Sequence, residues 1–213
     1  MFPTTVVDNF FDDPMQVRKF ALSQEFFPDP KHKWPGARTN FLHTIDPKFF
    51  GSTIRQFLAL FYPAEVECAW AATAQFQLIP KEYDKGWVHV DGALVTGIVY
   101  LNDEDIPNSG TTIYRPKHTG AGLIHNDKIV ESFKHPDRAS EFTEYREENN
   151  KQFEESIVVK NRFNRLLAFD SHLYHAADDF SLGTNDSNRL TLVFFINKLV
   201  VDYYPLQRSK RGL

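Results

Sequence analysis

At Pro63 the spacing of apolar residues changes from a helical period to a period of two, and this switch most limits the folds open to the chain. Before it, Asp13-Pro14 and Asp46-Pro47 each join an N-capping carboxylate to a proline suited to the first helical turn. Val17, Phe20 and Ala21 follow the first pair, and Phe49, Phe50, Ile54, Phe57, Leu58 and Phe61 follow the second at spacings of three and four. The spacing predicts two amphipathic helices, the second ended by Pro63. Beyond it, residues 69–79 and 94–101 read as strands, with shorter runs at 111–114, 157–159, 165–169 and 189–197. The helices are expected to cover one face of a sheet.

Twenty phenylalanines, more than the chain has leucines, require a core of flat, wide rings, which suits stacked sheets better than a helical bundle. With 213 residues, 42% hydrophobic and 24% charged, the expectation is one globular domain, mainly β with added helices. Its parts would be a helical cover at about 12–63, a β core at about 66–115 and 157–198, and an inserted, lid-like segment at 116–156 where alternation stops and charges accumulate. Inside that insertion, residues 137–153 are predicted helical, presenting Phe142, Tyr145 and Phe153 to the body.

A net charge of −4 offers no footprint for a phosphate backbone, so a nucleic-acid partner is not expected; only the tail, with Arg208, Lys210 and Arg211, is locally basic. The lone Cys68 can form neither an internal disulfide nor a Cys-x-x-Cys site, which fits a reducing compartment. No apolar run approaches the ~18 residues of a spanning helix, and the N-terminus lacks a basic region followed by an apolar one. The expectation is a cytoplasmic protein with no membrane partner.

Gly-x-x-x-x-Gly-Lys-Ser/Thr, Gly-x-Gly-x-x-Gly, Gly-x-Ser-x-Gly and His-Glu-x-x-His are all absent. His-x-Asp occurs three times, as His89-Val90-Asp91, His125-Asn126-Asp127 and His135-Pro136-Asp137. On extended backbone, residues i and i+2 share a face, so such a triplet presents an imidazole and a carboxylate to one metal ion. The third triplet holds a proline that a central strand would not tolerate, and Asp137 reads as the cap of the following helix. The second reads as a turn inside the insertion. Only His89-Val90-Asp91 sits between strands, where a surface hydrogen-bonded pair is the competing reading. A second imidazole from the run 164–175, which offers His172 and His175, would complete a two-histidine, one-carboxylate triad with three open positions on a six-coordinate Fe(II).

The order His89-Val90-Asp91, Tyr100-Leu101-Asn102, Ser109-Gly110-Thr111-Thr112, Asn164-Arg165-Leu166 leading to His175, and Arg189-Leu190-Thr191-Leu192 resembles the Fe(II)/2-oxoglutarate-dependent dioxygenases, in pattern the prolyl-hydroxylase-like branch. The resemblance runs from about Gln75 to Asn197, the insertion excluded. Val7-Asp8-Asn9-Phe10 and the stretch from Trp34 through Pro35, Gly36, Ala37 and Arg38 to Thr39 are similar to small bacterial and phage-type members.

The resemblance implies a double-stranded β-helix, or jelly-roll, core with N-terminal covering helices. It implies His89, Asp91 and His175 as iron ligands; His172 competes, but His175, followed by the small Ala176, better fits the motif. It further implies that Arg189 forms a two-pronged salt bridge to the distal carboxylate of 2-oxoglutarate, which Tyr100 also touches. Strand alternation places Arg189, Thr191 and Val193 on one face, making Thr191 a cosubstrate neighbour. Alternation also turns Gln75 and Gln77 into the barrel, where buried amides need partners and become candidate contacts for cosubstrate or substrate. Many relatives carry a tyrosine where this chain has Ile79, so the clamp differs in part.

The implied reaction uses Fe(II), 2-oxoglutarate and O2, with ascorbate as a candidate reductant. It couples decarboxylation of 2-oxoglutarate to succinate with hydroxylation of a C–H bond in an amino-acid-like small molecule or a protein side chain. Asp91 keeps the carboxylate that family halogenases replace with a small residue. The alternative is a cupin-like barrel that binds a metal or ligand without oxidation, which would have no use for Arg189 and Tyr100 at this spacing. A nucleobase demethylase would need a basic groove.

Overall fold

The computed structural model describes residues 2–104, 108–180 and 188–205; the loop that the sequence suggests at 181–188, apart from Asn188, and the basic tail of Arg208, Lys210 and Arg211 lie outside the described residues. Chain order begins with β1 (Thr5–Val7), α1 (Pro14–Leu22), β2 (Phe27–Pro28), β3 (Ala37–Arg38), α2 (Leu42–Ile45) and α3 (Pro47–Leu58). Both proline-led helices start as the sequence requires: Asp13 Oδ1 accepts from the Gln16 amide at 3.0 Å, and Asp46 Oδ1 from the Phe49 amide at 2.9 Å. The second helix stops at Leu58, before Pro63, and tight turns carry Leu60 to Tyr62.

The strands follow as β4 (Ala69–Ile79), β5 (Val95–Tyr100) and β6 (Thr111–Pro116), then α4 (Asn126–Lys134) and α5 (Thr143–Asn150), and finally β7 (Phe153–Val159), β8 (Leu166–Asp170), β9 (Tyr174–Ala177) and β10 (Arg189–Val200). They form an antiparallel seven-stranded sheet, ordered β1-β8-β5-β10-β4-β3-β2, and a three-stranded sheet, ordered β7-β6-β9. An isolated bridge between His89 and His175 extends the small sheet beyond β9. From β4 onward the chain passes between the two sheets, and Ile98, Tyr100, Leu167 and Phe169 of the large one meet Ile113 and Val159 of the small one.

Alternation along β10 sorts its side chains. Leu190, Leu192, Phe194 and Ile196 join Val17, Ala21, Ile54 and Phe57 in the main core under α1 and α3. Phe57 meets Phe194 at 5.1 Å between ring centroids and Phe20 meets Phe76 at 5.7 Å, so the phenylalanines fill this interface. Of these, Phe57, Phe76 and Phe194 are fully buried, each contributing about 1.5–3 kcal/mol. Gly97 on β5 is required here, since a Cβ would lie 2.0 Å from Phe194 Cζ.

The insertion departs from the expected single helix at 137–153. A 3-10 helix spans Pro136–Phe142 and α5 follows it, but Phe153 opens β7 instead of ending a helix. Pairing with Pro116 and packing on Tyr174 at 4.5 Å override the local helical pattern. Asp137 is no cap: it lies in the first turn of the 3-10 helix, which has no side-chain cap. The second triplet is not a simple turn either, because His125 has positive φ and Asn126 begins α4. Among the described residues no helix is long and apolar enough to cross a membrane.

Candidate functional site

His89 and His175 are set side by side by backbone. Each amide donates to the other residue's carbonyl, at 3.0 and 2.9 Å, and the rings lie 4.3 Å apart between centroids. The Asp91 amide donates to Ser171 O at 2.9 Å, which anchors the third member two residues on. The side chains converge: His175 Nε2 is 3.3 Å from Asp91 Oδ2, and His89 Nε2 is 3.8 Å from Asp91 Oδ1. Candidate ligand atoms of His89, Asp91 and His175 all lie within 4.8 Å of one another.

Supporting contacts aim these atoms. His89 Nδ1 is 2.8 Å from Trp87 O, and His175 Nδ1 is 2.9 Å from Leu173 O. A carbonyl only accepts, so both Nδ1 atoms carry the proton and both Nε2 atoms present lone pairs. Thr96 Oγ1 donates to Asp91 Oδ2 at 2.6 Å and shares a hydrogen bond with Ser171 Oγ at 2.8 Å. Burial and the neighbouring His175 push the His89 imidazole down to about 4, so it is neutral at pH 7. Burial opposes ionisation of Asp91, and the hydrogen bond donated by Thr96 favours its charged form. Two imidazole lone pairs and a carboxylate facing one point repel each other unless a cation lies between them. The donor set, two nitrogens and one oxygen, fits a divalent transition metal.

The triad lines a cavity of about 670 Å³, whose wall also includes Arg189. The Arg189 side chain is held by Nε donating to Ser109 O at 3.1 Å and a long 3.5 Å contact from Nη2 to Thr111 Oγ1, and its guanidinium stands 5.4 Å over the Tyr100 ring. Burial lowers its affinity for the proton, partly offset by Tyr100 and Asp178.

The remaining expected residues divide. Gln77 lines the cavity, with Nε2 donating to Pro35 O at 2.9 Å. Gln75 does not line it; its amide donates to Thr39 O at 2.6 Å and ties β4 to the segment after β3. Tyr100 is fully buried and does not itself line the cavity; its hydroxyl donates at 2.9 Å to Oγ1 of Thr111, which does. Thr191 is likewise buried off the cavity, and its hydroxyl has no partner among the described residues. His172 does not join the converging group; its side chain is 72% exposed, with Nδ1 3.1 Å from Asp170 Oδ1. His125 and His135 pair with Glu148 and Glu131 on the surface.

Sequence reasoning missed Thr96, Ser171, Trp34 and Arg38, all of which serve the site or its wall. Thr96 shares a strand face with Ile98, a signal present in the alternation; Arg38 sits on a strand of two residues, too short to show any period.

A family model described as "Family of unknown function (DUF6445)" matches residues 2–196. No curated protein matches the sequence. Among solved structures, HygX from Streptomyces hygroscopicus with nickel, 2-oxoglutarate and hygromycin B bound is similar, with a TM-score of 0.55, 13% identity, and coverage of 91% of this chain and 82% of that one. HygX with iron bound gives 0.50 and 12%, covering 91% and 81%. A Pseudomonas putida prolyl-4-hydroxylase gives 0.49 and 15%, covering 93% and 94%. At these identities the likeness is one of fold.

Proposed function

The chain belongs to the family of unknown function DUF6445, and on that premise we propose that this protein is an Fe(II)/2-oxoglutarate-dependent oxygenase that hydroxylates a small molecule or a protein side chain. One observation carries the reading: the three convergent ligand atoms and the buried Arg189 line the same cavity. The passage of the chain between a large and a small sheet supports a double-stranded β-helix. The fold likeness to HygX, which binds iron or nickel and 2-oxoglutarate, agrees with it.

In this reading His89, Asp91 and His175 hold the metal, and Arg189 takes the distal carboxylate of 2-oxoglutarate. Bound together with O2, iron and 2-oxoglutarate supply the oxidative decarboxylation that drives C–H hydroxylation. The protein's part is placement. The Trp87 and Leu173 carbonyls keep both imidazoles in the ligating tautomer, and Thr96 fixes the carboxylate. Ser109 O and Thr111 hold the guanidinium edge-on, and Tyr100 acts through Thr111 and its ring face, not through a direct cosubstrate contact. Gln77 faces the substrate space, whereas Gln75 and Thr191 serve structure. Residues 116–156 act as a cover, since α4 contributes Ile129, Val130 and Phe133 to the cavity wall.

The test is an anaerobic titration of 2-oxoglutarate into the Fe(II)-loaded protein, following the weak visible charge-transfer band of chelation. A saturable band is expected. Iron binding without such a band would favour the cupin-like barrel.

A further inference from the structure

Arg38 is a second arginine on the cavity wall, and the placement of 2-oxoglutarate proposed above gives it no role. Gly36, at φ +71 with its Cβ position 2.2 Å from Leu78 O, brings β3 tight against β4 and sets Arg38 opposite Gln77. The guanidinium lies on the Trp34 ring at 4.2 Å and 5.8 Å from the Phe195 centroid. Its hydrogen bonding is thin. Nη2 reaches Gln77 Oε1 only at 3.4 Å, and the buried Nε has no partner among the described residues. Among the described residues no ion pair engages Arg38, although Asp91 and Asp29 act on it at longer range; burial moves the group down only to about 10, so it stays charged at neutral pH.

The charge around it is unbalanced. Of the described residues lining the cavity, Lys33, Arg38 and Arg189 are cationic, and Asp91 is the one carboxylate. A divalent metal and the dianion 2-oxoglutarate cancel each other, so the lining itself keeps two positive charges after Asp91 is counted, while Asp29 and Asp178 act on Arg38 and Arg189 from off the cavity. A partly buried guanidinium with an unpaired donor is costly unless an anion meets it. With one face against Trp34, the edge of the guanidinium on the cavity wall suits a planar carboxylate approaching in plane. Beyond that edge the wall is apolar, from Val193 and Phe195 on β10 to Ile129, Val130 and Phe133 on α4.

We infer that Arg38, backed by Trp34 and Gln77, binds a carboxylate on the substrate to be oxidised, and that this substrate is a small carboxylic acid with an apolar body. The inference rests on the oxygenase reading, because that reading assigns 2-oxoglutarate to Arg189.

The probes are 3-phenylpropanoate and its amide, 3-phenylpropanamide, titrated calorimetrically into Mn(II)-loaded protein saturated with 2-oxoglutarate, so that Arg189 is occupied. The acid is expected to bind at least tenfold more tightly than the amide. Arg38→Gln should erase that preference and Arg38→Lys should keep part of it, with 2-oxoglutarate affinity within about twofold of wild type in both. Equal binding or no binding of the two probes overturns the inference, as does a preference that survives Arg38→Gln. Loss of 2-oxoglutarate binding in a folded Arg38 variant also overturns it, by making Arg38 part of the cosubstrate site. If the wild-type metal form binds no 2-oxoglutarate, the oxygenase reading fails first and the inference with it; failure of the probe preference alone leaves that reading standing.

Discussion

His89 and His175 exchange both of their backbone hydrogen bonds, N–H to carbonyl in each direction, so the candidate metal site is closed by a β-bridge and not by side chains alone. A site framed in this way keeps its shape when one ligand side chain is removed, which makes ligand variants informative.

Alanine at His89, Asp91 or His175 should leave the fold intact and weaken metal binding by more than the roughly 10–100-fold typical of losing an outer partner. Thr96→Val, which frees the Asp91 carboxylate, should fall within that 10–100-fold range. Alanine at His118, His125 or His135 should change metal affinity by less than about twofold. Mn(II) binding followed by electron paramagnetic resonance, with melting curves alongside, separates these cases; metal loss in a His125 or His135 variant would contradict the site.

Arg189→Ala should weaken 2-oxoglutarate binding a few hundredfold, matching the roughly 3–5 kcal/mol cost of removing one partner of a buried ion pair. Fe(II) affinity should hardly move. Lysine there should rescue in part, keeping the charge but not the planar fork. Tyr100→Phe removes only the hydrogen bond to Thr111, worth roughly 0.5–1.5 kcal/mol. The anaerobic charge-transfer titration reads all three, and a 2-oxoglutarate affinity unchanged in Arg189→Ala would refute the clamp.

The depressed His89 imidazole links stability of the metal-free protein to pH. Its folded value, about 4, lies below its ordinary value of 6.5, so between those limits the unfolded chain binds more protons. This contribution is fully present above about pH 6.5 and is lost as pH falls toward 4. The imidazole is 45% exposed, so solvent screening keeps the effect small, about 1 kcal/mol or less. Melting temperature should decline across that window and decline less in His89→Gln; equal slopes would show that His89 is not the group responsible.

Gly97→Ala should destabilise the domain by roughly 1–3 kcal/mol, the usual cost of overpacking. The added methyl meets the Phe194 ring, so Phe194→Leu should restore part of the loss in the double variant. Urea denaturation of the four proteins forms the cycle, and additive effects would show that the two positions do not touch.

What the sequence determined by itself was local and periodic. Asp13-Pro14 and Asp46-Pro47 cap helices whatever surrounds them, and the alternation along Arg189–Val200 alone separates the cavity side, with Arg189 and Val193, from the core side, with Leu190, Leu192 and Phe194. His89 and Asp91 were legible for the same reason, as a triplet between strands. Tertiary structure decided what needed a distant partner. It set His175, and not His172, beside His89 and Asp91 through a bridge to His89, and it turned Phe153 from a helix to a strand by pairing it with Pro116. It also spent the Gln75 amide on Thr39 and the Tyr100 hydroxyl on Thr111, and it brought Arg38 to the cavity from a strand of two residues. A repeat of two or of 3.6 residues tells which way a side chain points within its own element, whereas the atoms it will meet are set by how elements far apart in the chain pack together.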